Sequence, residues 1–376
     1  MGKKVLITGG AGFIGSNLSL KLLDKGYEVV VLDNLLPQLH GNKEDSLLFN
    51  SIKGKVEFIE ADVRDRVALR SALSGVSVIV HLAAETGTGQ SMYEVDRYVD
   101  VNCRGTAILL ELLQSGGNKV EKVILSSSRA VYGEGKYRNK KGEIIYPVSR
   151  SEKNMSAGKF EPVGQNEEEL ELMATDELSA ISPLSIYAVT KFNQEQYLRI
   201  ICSALGIPSV IFRFQNVYGP GQSLKNPYTG ILSIFSTQIK NKSAINIFED
   251  GLETRDFVFI DDVVEAIILG IEKKEADNEI FNVGSGVATN VLHVAQTLKN
   301  YYQSDIEIKV TGNYRVGDIR HNYADISRIG KLLGFVPSVD FETGLKRFAN
   351  WVNRQQIVKG DFAKTIEELK AKNLFR

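Results

Sequence analysis

Two residues four positions apart, Tyr187 and Lys191, are the strongest chemical signal in this chain of 376 residues. On a helix this spacing places both side chains on one face. A free phenol has a pKa near ~10 and is a poor base at neutral pH, but a neighbouring cation lowers that pKa. Ser128, at the end of an upstream serine run, could hydrogen-bond the oxygen whose proton moves. The three side chains therefore predict acid/base chemistry at an oxygen atom.

A glycine-rich segment near the N-terminus predicts a dinucleotide-binding loop. Gly9 and Gly12 lie between a short apolar strand and a helix predicted over residues 13–25, and Gly15 lies in the first turn of that helix. Glycines permit a tight turn and a close backbone approach to pyrophosphate, which then lies at the helix N-terminus. Asp33 ends the second predicted strand, near the spacing expected for an acid that binds the adenosine ribose. Because its carboxylate would repel a 2′-phosphate, we expect NAD and not NADP.

Strands and helices alternate regularly, which predicts an α/β fold with a doubly wound parallel (Rossmann) sheet and a smaller α/β substrate-binding lobe. Active residues should gather at the carboxyl ends of the strands. We expect an NAD-binding domain over 1–213 plus about 256–283. The substrate domain would then comprise about 214–255 plus 284–376. A long polar insertion, 134–182, is either inert surface or a flap over the substrate, and residues 359–376 predict an amphipathic helix without evident chemistry.

Composition excludes several classes of protein. The formal net charge is −1, which does not indicate sequence-independent binding of nucleic acid. No apolar run approaches the ~20 residues that a membrane span needs. Two cysteines and four scattered histidines predict neither a disulfide framework nor a metal site. We expect a cytoplasmic protein.

With these motifs the chain resembles the extended short-chain dehydrogenase/reductase family, in its nucleotide-sugar branch, over nearly its whole length. Within the branch it is most similar to the nucleotide-sugar 4-epimerases, and in detail to the dTDP-L-rhamnose 4-epimerases. The closer similarity lies in three segments, residues 81–91, 128–135 and 215–224.

The resemblance implies NAD as the cofactor and a dTDP- or UDP-linked nucleotide-diphosphate sugar as the substrate. It implies Ser128 as the hydroxyl, Tyr187 as the acid/base and Lys191 as the charge that tunes Tyr187 and binds the nicotinamide ribose. Besides Tyr187 and Lys191, the cofactor-binding residues would be Gly9, Gly12, Phe13, Ile14, Gly15, Asp33, Asn34, Asp62, Val63, Leu82, Ala83, Ala84, Asn102 and Ser126. The substrate-binding residues would be Thr86, Gly87, Ser128, Arg129, Asn216, Arg255, Arg315 and Asp318. No metal is implied.

The implied activity is reversible epimerisation at C4 of the sugar through a transient 4-keto intermediate. Dehydratases of the same superfamily carry an Asp-Glu pair directly after the Ser or Thr, whereas this chain has Arg129 and Ala130. That departure argues against a 4,6-dehydratase. The alternatives are a UDP-hexose 4-epimerase, a 4-keto nucleotide-sugar reductase and a non-catalytic NAD-binding regulator.

The resemblance also implies a homodimer, joined through helices over 187–204 and roughly 96–115. Phe192, Tyr197, Leu198 and Ile201 would provide its apolar face, unless they only pack on the sheet. Two further segments stay open between two roles. Residues 226–230 either contact base or sugar or form a turn, and Arg320 either binds phosphate or forms a surface salt bridge.

Overall fold

The computed structural model describes residues 2–224, 226, 230–356 and 362–376, and the side chains of all of these except 362–365. Its centre is a seven-stranded sheet in which every neighbouring pair is parallel. The strands are β1 (Lys4–Thr8), β2 (Glu28–Asp33), β3 (Glu57–Glu60), β4 (Val78–His81), β5 (Lys122–Ser128), β6 (Ser209–Phe214) and β7 (Ile280–Val283). Their spatial order is β7-β6-β5-β4-β1-β2-β3. The chain winds outward from β1 in both directions, which confirms the doubly wound fold.

Helices cover both faces of this sheet and extend into the second lobe. They are α1 (Phe13–Asp24), α2 (Arg66–Ala72), α3 (Val95–Tyr98, the π-helical Val99–Arg104 and Gly105–Gln114), α4 (Ile186–Leu205), α5 (Ile231–Lys240), α6 (Ile260–Glu272), α7 (Val291–Tyr301), α8 (Ser327–Leu333), α9 (Phe341–Asn353) and α10 (Phe362–Ala371). Short helices cover Pro37–His40, Leu47–Ile52, Thr88–Ser91 and Glu152–Ser156. The helices predicted over 13–25 and 187–204 are therefore present to within one residue at each end.

Alternation along the strands divides the core into two layers. On β1, Val5 and Ile7 point to the layer that holds α1 and α6, whereas Leu6 points to the layer that holds α2, α3 and α4. Side chains that alternate between two covered faces are what a parallel sheet between helices requires. The apolar strands are thereby buried on both sides, and their carboxyl ends stay open to form a site.

Helix α4 carries the predicted acid/base pair, and its ends are fixed locally. Ser185 caps the first turn by accepting a hydrogen bond from the backbone N–H of Ala188 (3.2 Å). Gly206 ends the helix with a left-handed backbone, φ 66°. Leu198, which we expected on the partner-facing side, is fully buried in the core. That prediction was wrong because Leu198 lies seven residues after Lys191 and so shares its inward face.

Short strand pairs build the rest of the second lobe. Asn216–Tyr218 pairs in parallel with Phe257–Phe259, and Ile245–Ile247 pairs in parallel with Ile308–Val310. Thr254–Arg255 lies between Thr289–Asn290 and His321–Asn322. The division into two domains at the boundaries given above stays a prediction.

The long insertion has its own structure. Lys136–Arg138 is the central strand of a three-stranded antiparallel sheet, between Ile144–Ile145 and Glu171–Met173. Its Met155 and Phe160 form a small buried cluster with Tyr314 of the second lobe. The insertion is therefore anchored to that lobe. Within the described part of the chain, no helix is long and apolar enough to cross a membrane.

Candidate active site

A cleft with a volume of about 470 Å³ lies at the carboxyl ends of the central strands. Its walls come from the glycine loop, the ends of β2, β4 and β5, helix α4 and the segment that follows β6. The predicted site residues on these walls are Gly9, Gly12, Phe13, Ile14, Gly15, Asp33, Asn34, Asp62, Val63, Leu82, Ala83, Ala84, Thr86, Gly87, Ser126, Ser128, Arg129, Tyr187, Lys191 and Asn216. Four predicted residues lie off these walls: Asn102, Arg255, Arg315 and Asp318.

The glycines of the loop are required for two different reasons. A Cβ on Gly9, whose φ is 68°, would lie 2.8 Å from the backbone nitrogen of Ala83. One on Gly15 would lie 2.5 Å from Cα of Gly10. At Gly12 the backbone is extended (φ −72°, ψ −178°), and a Cβ would meet only the carbonyl of Gly9, at 3.2 Å. A side chain at position 12 would therefore need a shift of a few tenths of an ångström at Gly9, a smaller clash than at positions 9 and 15. Gly12 lines the cleft at the N-terminus of α1, where a pyrophosphate would bind.

The acidic residues at the adenosine end are held in place by backbone and side-chain donors. The Asp33 carboxylate accepts hydrogen bonds from the backbone N–H groups of Ala11 (3.0 Å) and Leu35 (2.9 Å). Burial nevertheless raises its pKa. Asp62 accepts from Arg64 and from Asn34 Nδ2 (2.9 Å), and its pKa falls to about 2, chiefly through the hydrogen bond from Arg64. These two carboxylates and the glycine loop suit an adenosine diphosphate, so the residues present fit NAD.

Asn102, a predicted cofactor-binding residue, is held by hydrogen bonds within the protein, and its contact with NAD stays a prediction. Its amide donates to the carbonyl of Glu85 (3.1 Å) and to Thr190 Oγ1 (2.9 Å), and it accepts from the Glu85 N–H (2.7 Å). Asn102 lies in the π-helical turn of α3 and is fully buried. It therefore ties the loop after β4 to α4, behind the cleft wall.

Ser128 and Tyr187 meet at the inner end of the cleft. Ser128 is the last residue of β5, and its Oγ accepts from the backbone N–H of Ala130 (3.2 Å), which starts a short 3₁₀ turn. Tyr187 lies in the first turn of α4, and both it and Ser128 line the cleft. Burial raises the pKa of Tyr187, and the neighbouring Ser128 hydroxyl and the charge of Arg129 both oppose the rise.

Lys191 lies one turn further along α4 and is only 2% exposed. Burial lowers its pKa to about 7, although the carboxylate of Glu195 acts in the opposite direction. Its neighbour His81 is also buried, between Thr8 Oγ1 (2.7 Å) and Thr106 Oγ1 (2.9 Å), and burial lowers its pKa to about 3. A neutral His81 leaves Lys191 as the cation on this side of the cleft.

Arg129 is the cation whose charge acts on Tyr187 in this structure. It lines the cleft directly after Ser128, and within the described part of the chain it makes neither a hydrogen bond nor an ion pair. Burial and the nearby Arg255 lower its pKa to about 10, so it stays charged at neutral pH. The expectation that Lys191 supplies the charge for Tyr187 stays a prediction.

The three predicted substrate residues off the cleft walls form a neighbouring cluster. Arg255 donates to Asp318 Oδ1 (3.1 Å) and to the carbonyls of Ile319 (2.8 Å) and Arg320 (2.9 Å). Arg315 stacks on Phe248, with 4.8 Å from its guanidinium carbon to the ring centre. The side chain of Arg315 forms no hydrogen bond or ion pair with any described residue, and its Nε is buried. The positive charge of Arg255 lowers the pKa values of both Arg129 and Arg315. Because Arg129 lines the cleft, the cluster adjoins the cleft.

A buried ion pair, which we did not predict from the sequence, joins α4 to β6 next to the cleft. Glu195 binds Arg213 of β6 (2.7 Å) and accepts a hydrogen bond from Ser127 Oγ (2.5 Å). Arg213 also donates to the hydroxyl of Tyr132 (2.9 Å). The signal was present in the sequence, because Glu195 lies four residues after Lys191 and so shares its face of the helix.

The insertion supplies a further unanticipated residue, Arg150. It binds Glu249 (2.8 Å), lies 3.2 Å from Glu134 and donates to the backbone carbonyl of Asp318 (3.0 Å). Arg320 is fully buried and binds the same Glu249 (2.9 Å), and it also binds the exposed carboxylates of Glu161 (2.6 Å) and Asp250 (2.7 Å), so its ion pairs reach from the interior to the surface. No local motif identifies these pairs, since their members are far apart in the chain.

Two other expectations concern the segment after β6. Asn216 lines the cleft, and its side-chain oxygen has no hydrogen-bond partner among the described residues. Of the segment 226–230, residues 227–229 lie outside the described residues, so its predicted contact with base or sugar stays a prediction.

Gly12→Ala should fold normally but bind NAD at least ~10-fold more weakly, because the new methyl group occupies the space meant for pyrophosphate. Calorimetric titration of NAD-free protein with NAD measures the affinity, and thermal unfolding without NAD checks the fold. Gly330→Ala is the control, since its Cβ in α8 meets only the carbonyl of Phe335 at 3.4 Å. Unchanged NAD affinity in Gly12→Ala would remove the loop from the cofactor site.

Comparison with known proteins agrees with this geometry. Residues 5–284 match the NAD dependent epimerase/dehydratase family. The chain is 40% identical to dTDP-L-rhamnose 4-epimerase of Burkholderia thailandensis, over 94% of this chain and 96% of that protein.

Two crystal structures extend the likeness. UDP-glucose 4-epimerase of Thermotoga maritima with UDP-glucose has a TM-score of 0.75 and 30% identity, and the likeness covers 93% of this chain and 99% of that one. UDP-glucuronic acid 4-epimerase of Bacillus cereus with UDP-glucuronic acid and NAD has a TM-score of 0.75 and 27% identity, with the same coverage. The resemblance to nucleotide-sugar epimerases is confirmed: the chain belongs to the NAD dependent epimerase/dehydratase family, and its cofactor is NAD.

Proposed function

We propose that this NAD-dependent epimerase inverts C4 of a nucleotide-diphosphate sugar, most specifically interconverting dTDP-L-rhamnose and dTDP-6-deoxy-L-talose. The observation that carries the reaction type is that Tyr187 and Ser128 line the same cofactor cleft as neighbours, with Lys191 one helical turn from Tyr187. A tyrosine in this position can take a proton from a sugar hydroxyl while Ser128 holds the same oxygen.

Burial alone raises the pKa of Tyr187, so a nearby positive charge is needed to lower that pKa and make the phenol a usable base. Arg129 supplies charge on the substrate side, and Lys191 is held for the nicotinamide ribose on the other side. NAD held in the cleft would supply the acceptor for hydride from C4 and, once reduced, the donor of that hydride to the opposite face of the 4-keto sugar. Tyr187 then returns the proton to the C4 oxygen, so one proton and one hydride are conserved over the cycle.

Loss of water from the same intermediate would need a second acid close to the sugar. Position 129 holds an arginine and position 130 a buried alanine. Neither can transfer the proton that elimination at C5 and C6 requires, which supports epimerisation over dehydration. A 4-keto reductase differs by its consumption of reduced cofactor, and a non-catalytic regulator would have no need for the Ser128, Tyr187 and Lys191 set.

For the nucleotide sugar we propose that Arg255, Arg315 and Asp318 hold the diphosphate and ribose. Arginine suits a diphosphate because its planar fork makes paired charged hydrogen bonds. Arg315 supports this role best, as it has no ion-pair partner in the described part of the chain, whereas Arg255 is already bound to Asp318. Thr86, Gly87 and Asn216 would contact the sugar from the cleft wall.

The sugar assignment is supported by the 40% identity with dTDP-L-rhamnose 4-epimerase. A UDP-hexose 4-epimerase is the second candidate, favoured by the likeness to the Thermotoga maritima enzyme with UDP-glucose. The loop over residues 86–91 offers small polar side chains beside the catalytic end.

We also propose a cytoplasmic location. The two thiols of Cys103 and Cys202, which are buried and form no disulfide, support this location.

A homodimer is proposed through the outer faces of α3 and α4. Val189, Tyr197 and Ile200 share one exposed side of α4, and Ile200 is 64% exposed. Val95 and Val99 are exposed on the adjoining start of α3. Two helices from each of two copies would form a four-helix interface that buries these side chains.

Tyr187→Phe should lower turnover at least ~100-fold, because general acid/base groups contribute about that much. Bound NAD should be retained, since only the hydroxyl is lost. Turnover is measured on a panel of dTDP- and UDP-sugars, and NAD is released by denaturation and quantified. A variant that keeps near-normal turnover would show that another residue moves the proton.

Specificity constants for dTDP-L-rhamnose and UDP-glucose should favour dTDP-L-rhamnose when both are measured on one preparation. The added hydroxyl of a hexose is rejected only weakly by an apolar pocket, by about 100-fold, so some UDP-glucose activity is expected. A preference for UDP-glucose would leave the C4 epimerase assignment standing and overturn the sugar assignment.

Light scattering at micromolar concentration should give the mass of a dimer for the native chain. Ile200→Lys should shift the mass toward that of a monomer, because a charge would be buried in an apolar interface. Lys372→Ala serves as the control, because Lys372 is an exposed residue near the C-terminus. A native chain that is monomeric at this concentration would contradict the interface.

A further inference from the structure

Residues 366–376, which we call the tail, contact two of the proposed substrate-binding segments at once. The C-terminal end of the tail pairs with the segment that carries Arg315: the Tyr314 N–H donates to the Arg376 carbonyl (2.9 Å), and the Arg376 N–H donates back to Tyr314 (3.0 Å). The Val316 N–H donates to the Leu374 carbonyl (3.1 Å). These bonds form an antiparallel bridge in which Phe375 stands opposite Arg315.

Phe375 also contacts the ring on which Arg315 lies. Its ring is nearly perpendicular to that of Phe248, with 5.0 Å between the centres, and the guanidinium of Arg315 lies over the same Phe248. Phe375 is only 6% exposed. The tail therefore fixes both the backbone of Arg315 and the surface that supports its guanidinium.

The helical end of the tail reaches the other segment. Leu369 is buried, and a Cβ on Gly89 would lie 3.7 Å from its Cδ2. Gly89 belongs to the short helix Thr88–Ser91, which directly follows the proposed sugar contacts Thr86 and Gly87. The tail thus joins the sugar end of the cleft to the diphosphate end.

The Arg315 segment is supported from its other side as well. Tyr314 packs on Met155 and Phe160 of the insertion, and its hydroxyl lies 2.9 Å from Ser156 Oγ. Gly317, with φ 80°, approaches the base of the catalytic helix, where an added Cβ would lie 3.2 Å from the Leu184 carbonyl. The segment is therefore contacted by the insertion, by Leu184 before α4 and by the tail.

We propose that the tail is part of the substrate site and that Phe375 is a positioning residue, which holds Arg315 ready to bind the diphosphate of the nucleotide sugar. The inference rests on the proposed function, because it takes the diphosphate to be the group that Arg315 receives. The sequence had suggested no chemistry for the tail, which would thus have a role in substrate binding.

The experiment measures the dissociation constants of dTDP and UDP from the NAD-loaded enzyme for the native chain, Phe375→Ala, Arg315→Met and the double variant. Phe375→Ala should weaken binding of the preferred nucleotide about tenfold, as expected when one charged hydrogen bond is lost. Its NAD content should not change. In the Arg315→Met background the same change should have little further effect, because the two residues act through one contact.

Phe335→Ala is the matched control, since it removes a buried phenylalanine from the core at the end of α8 and should leave nucleotide affinity unchanged. Phe375→Leu replaces the alanine variant if that variant does not fold. Additive effects of Phe375 and Arg315, or an unchanged affinity in Phe375→Ala, would overturn the proposal while Arg315→Met alone still supports the diphosphate site. If the native chain binds neither dTDP nor UDP, the proposed function fails together with the role of the tail.

Discussion

The placement of helix α4 against strand β5 depends on one buried carboxylate, Glu195. It is fully buried, bound to Arg213 of β6 and hydrogen-bonded by Ser127 of β5. Removal of one partner from such a pair leaves an uncompensated buried charge, at a cost of about 3–5 kcal/mol. Because Ser127 precedes Ser128 and Glu195 follows Lys191 by one turn, this pair holds both sides of the acid/base site in register. The same carboxylate also offsets part of the burial that lowers the pKa of Lys191.

The two cations near Tyr187, which are Lys191 and Arg129, differ in how strongly burial lowers their pKa values. The pKa of Lys191 is lowered from 10.5 to about 7, so the unfolded chain binds more protons than the folded chain between these values. Folding is therefore penalised by this group below about pH 7, and the penalty disappears as the pH rises toward 10.5. Arg129, with a pKa of about 10, stays charged at neutral pH, which makes it the more dependable source of positive potential for Tyr187 there.

Local patterns predicted the parts of the site whose geometry is set by one element or one turn. The glycine loop, Asp33 at the end of β2 and the pair Tyr187 and Lys191 all lie where spacing alone puts them. Asn102 lies behind the cleft wall, where a π-helical turn in α3 and a bond to Thr190 hold its amide, and its contact with NAD stays a prediction. The support of Arg315 by Phe375, and that of Asp318 by Arg150, could not be predicted, since each joins segments far apart in the chain.

In the proposed cycle, the hydride that leaves C4 of the sugar returns to the same carbon before the product is released. The most direct test of this cycle uses a dTDP- or UDP-sugar substrate labelled with deuterium at C4, with purified enzyme and no added NAD or reductant. The epimer should form with its deuterium retained at C4 and without stoichiometric change in reduced cofactor. Loss of the label to solvent, or product formation only when reduced cofactor is supplied and consumed, would contradict this cycle.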